Sequence, residues 1–191
     1  MNDDAQRLLG FWFAEGHDTF RKAWFEKDDA FDAECRSGFG ALVLPARDGA
    51  LDGWAETPEG ALALMLLLDQ FPRNLFRGSA EAFASDEHAR AVARRAVLTH
   101  RFDLALTNTA RIFLYLPFEH GEAMEDQDLS VALFEGLRDD PSHSKPGGTI
   151  EYAWRHREVI RRFGRFPHRN SVLRRASTPA EQAWLDAGGG F

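Results

Sequence analysis

The sequence predicts an all-α chain built as stacked antiparallel helical hairpins, about eight to ten helices joined by short turns. Three observations carry this. No stretch alternates apolar and polar residues long enough to make a strand. Apolar residues recur at helical spacing along the whole chain. Helix-start signals, Thr57-Pro58-Glu59 and Thr178-Pro179-Ala180-Glu181, stand just before such stretches.

Residues 4–15 put Leu8, Leu9, Phe11, Trp12 and Phe13 on a broad apolar face. A short helix is expected around Trp24-Phe25. A longer one over 28–44 runs through Phe31, Cys35, Phe39 and Leu42, with Pro45, Asp48 and Gly49 as the break. Thr57 caps the next helix, and Pro58 takes its first position. That helix, 58–70, is apolar almost all round, which marks it as central and buried. Phe71-Pro72 is expected to end it, because the residue before proline avoids the α region. Ser85-Asp86-Glu87 opens a helix towards His100, and Thr109 is expected to cap one through Ile112 and Leu116. Pro117 lies inside or at the end of that helix. Helices over 125–137 and 150–163 flank the loop 139–148, the internal segment expected to be most flexible. A capping box at Thr178 opens a last short helix before Gly188 to Gly190.

The 191 residues are expected to form one helical domain, 1–191, with length enough to bury a core. Apolar residues make up 44 %, so the chain is globular rather than disordered. Its single cysteine, Cys35, allows no internal disulfide and in a helical setting reads as a structural thiol. The acidic start lacks the features of a secretory signal, and the longest aliphatic run, Ala61 to Leu68, is too short for a membrane span. The expectation is a soluble, cytoplasmic protein with no membrane partner. The formal charge is −7, yet residues 155–175 hold eight arginines and one acid, Glu158. An acidic bulk of this kind does not suit nucleic acid. The basic segment either binds an anion or pairs with acids of the same chain.

Two segments echo each other. Phe71-Pro72-Arg73-Asn74 leads to Phe76-Arg77-Gly78, Glu81 and Asp86; Phe166-Pro167-His168-Arg169-Asn170 leads to Ser177, Glu181 and Asp186. Between them lies Leu116-Pro117-Phe118-Glu119-His120. Asp69 closes a buried helix and so needs a partner, with Arg73 four residues on the nearest. On this reading Asp69→Ala costs about 3–5 kcal/mol through an arginine left unpaired. The expected ligand-binding groups are Asp69, Arg73, Asn74, Arg77, Arg165, Arg169 and Asn170, with arginine donors suited to carboxylate or phosphate. The plainer reading makes the same arginines internal ion-pair locks and the asparagines turn or cap residues. Glu119, His120 and His168 are the candidates for acid–base chemistry; the alternative is a buried polar pair at the Pro117 break. Glu119 and Glu122 share a helical face, but His120 points elsewhere, so no metal site is expected. His156 on its apolar stripe reads as a hydrogen-bonded core residue, and the aromatic groups including Phe25 and Trp154 read as packing core. No P-loop, dinucleotide fingerprint or nucleophile elbow occurs, and no cofactor is expected.

These strings, with Trp24-Phe25, Leu68-Asp69-Gln70, Asp126-Gln127 and the glycine run ending in Phe191, together resemble the bacterial domain-of-unknown-function 924 family. The resemblance covers nearly the whole chain and implies a tetratricopeptide-repeat-like α/α superhelix, but no activity. Gly121 stands where the family pattern has serine, and Arg174 where it has glycine. The functional expectation is a binding module that holds an acidic peptide segment or small anionic ligand in an Arg/Asn/His-lined groove. An enzyme working through Glu119, His120 or His168, and a wholly structural cluster, are the alternatives. Arg73, Asn74, Glu119, His120, Arg165, His168, Arg169 and Asn170 are expected to include a cluster drawn from at least two of the three segments.

Overall fold

The computed structural model describes residues 2–191, and among these no strand occurs. The chain forms two compact units. The first comprises the residues up to Arg77 together with Glu81–Pro117; the second comprises Gly78–Ala80 and Phe118–Phe191.

In the first unit, α1 (Asp3–Trp12) is capped by Asn2, and α2 (Asp29–Arg47) by Asp28, whose carboxylate accepts from the amides of Ala30 and Phe31. α2 runs through Pro45 instead of stopping there; the break comes at Gly49, whose φ of +81° suits glycine alone. Thr57 caps α3 (Pro58–Met65) as expected. Every residue from Gly60 to Gln70 is buried, and this segment forms the centre with Trp12, Phe71 and Phe113.

The helix does not end at Phe71-Pro72. A π-helical turn (Leu66–Gln70) follows α3, and α4 (Phe71–Leu75) continues directly, with Phe71 in the α region. Proline has no N–H to give the carbonyl of Leu68. Ser85 supplies the missing donor, its hydroxyl 2.6 Å from that oxygen, and so does not cap α5 (Asp86–Arg94). The chain spends a wider turn and a distant hydroxyl to carry the helix past the proline. α6 (Asn108–Glu119) also runs through its Pro117. Thr109 is not its cap: its hydroxyl donates to the carbonyl of Asp18, and Thr107 accepts from the amide of Ala110.

The second unit takes the end of α6, then α7 (Met124–Glu135), the short α8 (Pro141–Ser144), α9 (Thr149–Phe163), a 3₁₀ turn (Pro167–Arg169) and α10 (Pro179–Asp186). The loop 139–148 thus contains a helix, capped by Asp140. α7 and α9 are an antiparallel hairpin, because Trp154 bonds Glu135 while Arg157 bonds Asp128. Trp154 and Phe25 are not core residues: they are 47 % and 45 % exposed. Trp154 instead gives its indole N–H to a carboxylate on the surface. Among the described residues no helix is long and apolar enough to cross a membrane.

Candidate functional site

In the first unit the turn after Pro72 is closed by ion pairs. Arg73 forks onto Asp86 (3.0 and 3.1 Å), donates to the carbonyl of Asp69 (2.7 Å) and lies 3.3 Å from the Asp69 carboxylate. Burial disfavours its charge, but the two carboxylates more than compensate and raise its pKa. Gln70 donates to Asp69 at 2.6 Å. Arg77 forks onto Asp32, which also accepts from the Asn74 amide at 2.6 Å. Cys35 lies buried in the same unit, and burial pushes its thiol up to about 12. It is an inert core group.

The second turn repeats the chemistry with other acids. Arg165 forks onto Glu181 at 2.6 and 2.8 Å. Glu181 also accepts from the Thr178 amide, completing the capping box of α10. Arg165's hydrogen bonds, against the opposing pull of burial, hold the Glu181 carboxyl down to about 2. Asn170 donates to Ser177 (3.1 Å) and accepts from Arg175 Nε (3.0 Å). In each turn, then, an asparagine amide and an arginine fork serve one carboxylate network.

Around this turn the second unit gathers its polar groups. Arg169 donates to the carbonyl of His120 (3.1 Å) and lies over the Phe166 ring. Glu119 is buried, with Oε1 3.2 Å from Nδ1 of His156. That nitrogen also lies 2.9 Å from the carbonyl of Tyr152, which can only accept, so Nδ1 carries the hydrogen. Burial, then the neighbouring His120, holds His156 well below the ordinary histidine range, and the ring is neutral at pH 7. Burial and the Arg169 guanidinium push His168 down to about 4. His120 meets the His156 ring edge-on at 6.3 Å. The second unit therefore joins Phe118–His120 and Phe166–Asn170, while Arg73, Asn74 and Arg77 engage acids within the first unit.

Two residues here have larger parts than their sequence positions suggested. His156, read as core, touches Glu119. Gln127, on α7, spans the end of α6: its amide donates to the carbonyls of Phe118 (3.4 Å), Glu119 (2.7 Å) and Gly121 (2.7 Å). A helix end must satisfy its last carbonyls, and one buried side chain does so here. Glu122, weighed with Glu119 as a ligand pair, accepts from the Phe166 amide and from Arg175 instead. Among the described residues no group of three or more His, Cys, Asp and Glu side chains is placed to hold a metal ion.

Beside the turn opens a cleft of about 510 Å³, lined by Pro167, His168, Ser171, Arg175, Ser177, Gln182 and Leu185. Its lining residues have hydrogen-bonding capacity left over. Nδ1 of His168 is buried and has no partner. Arg175 places four N–H bonds, on Asn170, on both oxygens of Glu122 and on the carbonyl of Phe166, out of the five a guanidinium carries. Ser177 accepts from Asn170, which leaves its O–H.

Residues 8–189 match the family described as bacterial protein of unknown function (DUF924), and the chain belongs to that family. It is also similar to the solved structure of a protein of unknown function, ATU0120, from Agrobacterium tumefaciens. That likeness is 42 % identical, with a TM-score of 0.84, over 96 % of this chain and 97 % of that one. No curated protein matches.

Proposed function

We propose that this member of the DUF924 family is a binding module whose second unit takes a small anionic ligand or the side chain of an acidic peptide, held by its carboxylate or phosphate oxygens. The observation that carries this is the cleft beside Pro167, where Arg175, Ser177 and the orphaned Nδ1 of His168 have hydrogen-bonding capacity left over. Buried polar groups normally find partners, and a ligand supplies the missing ones. In this reading Arg169, Asn170 and Arg165 hold the turn in shape. Asp69, Arg73, Asn74 and Arg77 are the corresponding structural lock of the first unit, since their donors already meet Asp32 and Asp86. The antiparallel α7–α9 hairpin supports reading the helices as a tetratricopeptide-like arrangement, whose members present ligands along helix-lined surfaces; that step is analogy. Isothermal titration with an acidic peptide and with inorganic phosphate tests the proposal. Binding that weakens at least tenfold in His168→Asn supports it, and no heat at millimolar ligand removes it.

A second reading, acid–base catalysis, is favoured by one contact: the buried Glu119 carboxylate against Nδ1 of a neutral His156. Glu119 orients and polarises the ring, His156 Nε2 is the free lone pair, and His120 meets the ring edge-on. An unbiased metabolite screen tests it. A compound consumed by the intact chain but not by His156→Asn supports catalysis, and no depleted compound counts against it.

A further inference from the structure

The Phe191 ring lies flat on His156, with ring centroids 3.6 Å apart and an interplanar angle of 12°. It meets Phe166 edge-on at 6.1 Å and His168 edge-on at 5.7 Å. A half-exposed side chain thus lies against the buried rings of His156 and Phe166 and the half-buried ring of His168. The glycines that precede it make this possible. Gly188 closes α10 with a φ of +82°, donating to the carbonyl of Leu185. Gly189 then runs against the face of the Trp184 indole, where a Cβ would collide with three ring carbons. The segment is shaped to reach His156, yet the ring it brings there is held by ring contacts with half its surface exposed.

We propose that the slot filled by Phe191 is a subsite for a planar aromatic group, and that Gly188–Phe191 is a strap which a ligand ring displaces. His168 connects the two places. It lines the cleft on one side and meets the Phe191 ring on the other. The inference rests on the cleft reading for the anionic end of the ligand, and the class it names is an aryl-alkyl carboxylate or phosphate. Stacking supplies the slot's selectivity, since flat rings on imidazole and phenyl faces pack better than branched aliphatic groups.

Three matched probes separate the parts: 3-phenylpropanoate, propanoate and the neutral 3-phenylpropanamide. Each is titrated into the intact chain and into Phe191→Ala, following the imidazole signals of His156 and His168 by NMR. The expected result is that both aromatic probes bind Phe191→Ala at least tenfold more tightly than the intact chain, while propanoate binds both equally. Aromatic affinities unchanged by the substitution overturn the strap, even if propanoate binds and the cleft stands. A tenfold gain for the amide with no preference for the acid, and no propanoate binding, upholds the slot and removes the anion cleft. Gly189→Ala, which pushes the segment off Trp184, provides a second variant that must move affinities in the same direction.

Discussion

Replacing Asp69 with alanine removes a carboxylate that is fully buried and has two donors aimed at it. The Gln70 amide, at 2.6 Å, loses its acceptor in a dry setting, which costs about 1–3 kcal/mol. Arg73 is not stranded, because its fork onto Asp86 remains. The full penalty of about 3–5 kcal/mol for an orphaned buried charge is therefore not incurred by this change alone. Asp69→Ala should destabilise by about 2–3 kcal/mol, and Asp86→Ala by a similar amount of about 2–3 kcal/mol. Together they leave Arg73 without either carboxylate, so the double variant should exceed the sum of the singles by about 1–2 kcal/mol. Urea denaturation of the four proteins measures this through the midpoint and slope. An unchanged midpoint in Asp69→Ala, or strict additivity in the double variant, would refute the shared lock.

Gln127→Met, nearly the same shape, should cost about 2 kcal/mol because it removes the side-chain amide that the carbonyls of Glu119 and Gly121 share; thermal unfolding reads it, and a midpoint unchanged from the native chain would show that solvent does the same task. Arg174 sits at φ +55°, where L side chains are strained and glycine is not. Arg174→Gly should stabilise the chain by up to about 1 kcal/mol, against the loss that glycine brings in an ordinary backbone. The pH profile has a definite sign. His168 and His156 are depressed in the folded chain, so the unfolded chain binds more protons and stability falls as pH drops from about 6.5 towards about 4. Glu181, held at about 2, adds stability above the ordinary glutamate pKa that is lost as pH falls through about 2. His168→Asn should flatten the slope between pH 6.5 and 4, and an equally steep slope in the variant would contradict the assignment.

The helical class, the buried centre over 58–70 and the capping box at Thr178 were legible because each is a local pattern. The passage through Pro72 was not, since it depends on a hydroxyl seventeen residues beyond Leu68 and on a π turn that no single residue announces. Arginine pairing behaved in the same way. The inventory of Arg73, Arg77 and Arg165 was plain, but their acids, Asp86, Asp32 and Glu181, were chosen by packing. His156 read as a hydrogen-bonded core residue from its apolar stripe, and it is buried with Nδ1 on Tyr152, but its stacking neighbour, Phe191, comes from thirty-five residues further on. The one-domain expectation likewise says nothing of the division near Pro117, which local pattern does not encode. Gly121 has a visible reason that its own sequence neighbours do not announce: a Cβ there would lie 2.8 Å from Asp126 Oδ2 and 2.9 Å from its Cβ.

The most direct test of the cleft is a backbone and histidine NMR titration with inorganic phosphate and, separately, acetate. Saturable shifts concentrated at His168, Ser171, Arg175 and Ser177 are expected, with Arg73, Arg77 and Asp32 unmoved. Shifts centred on the Arg73–Arg77 turn, or none at tens of millimolar anion, would contradict it.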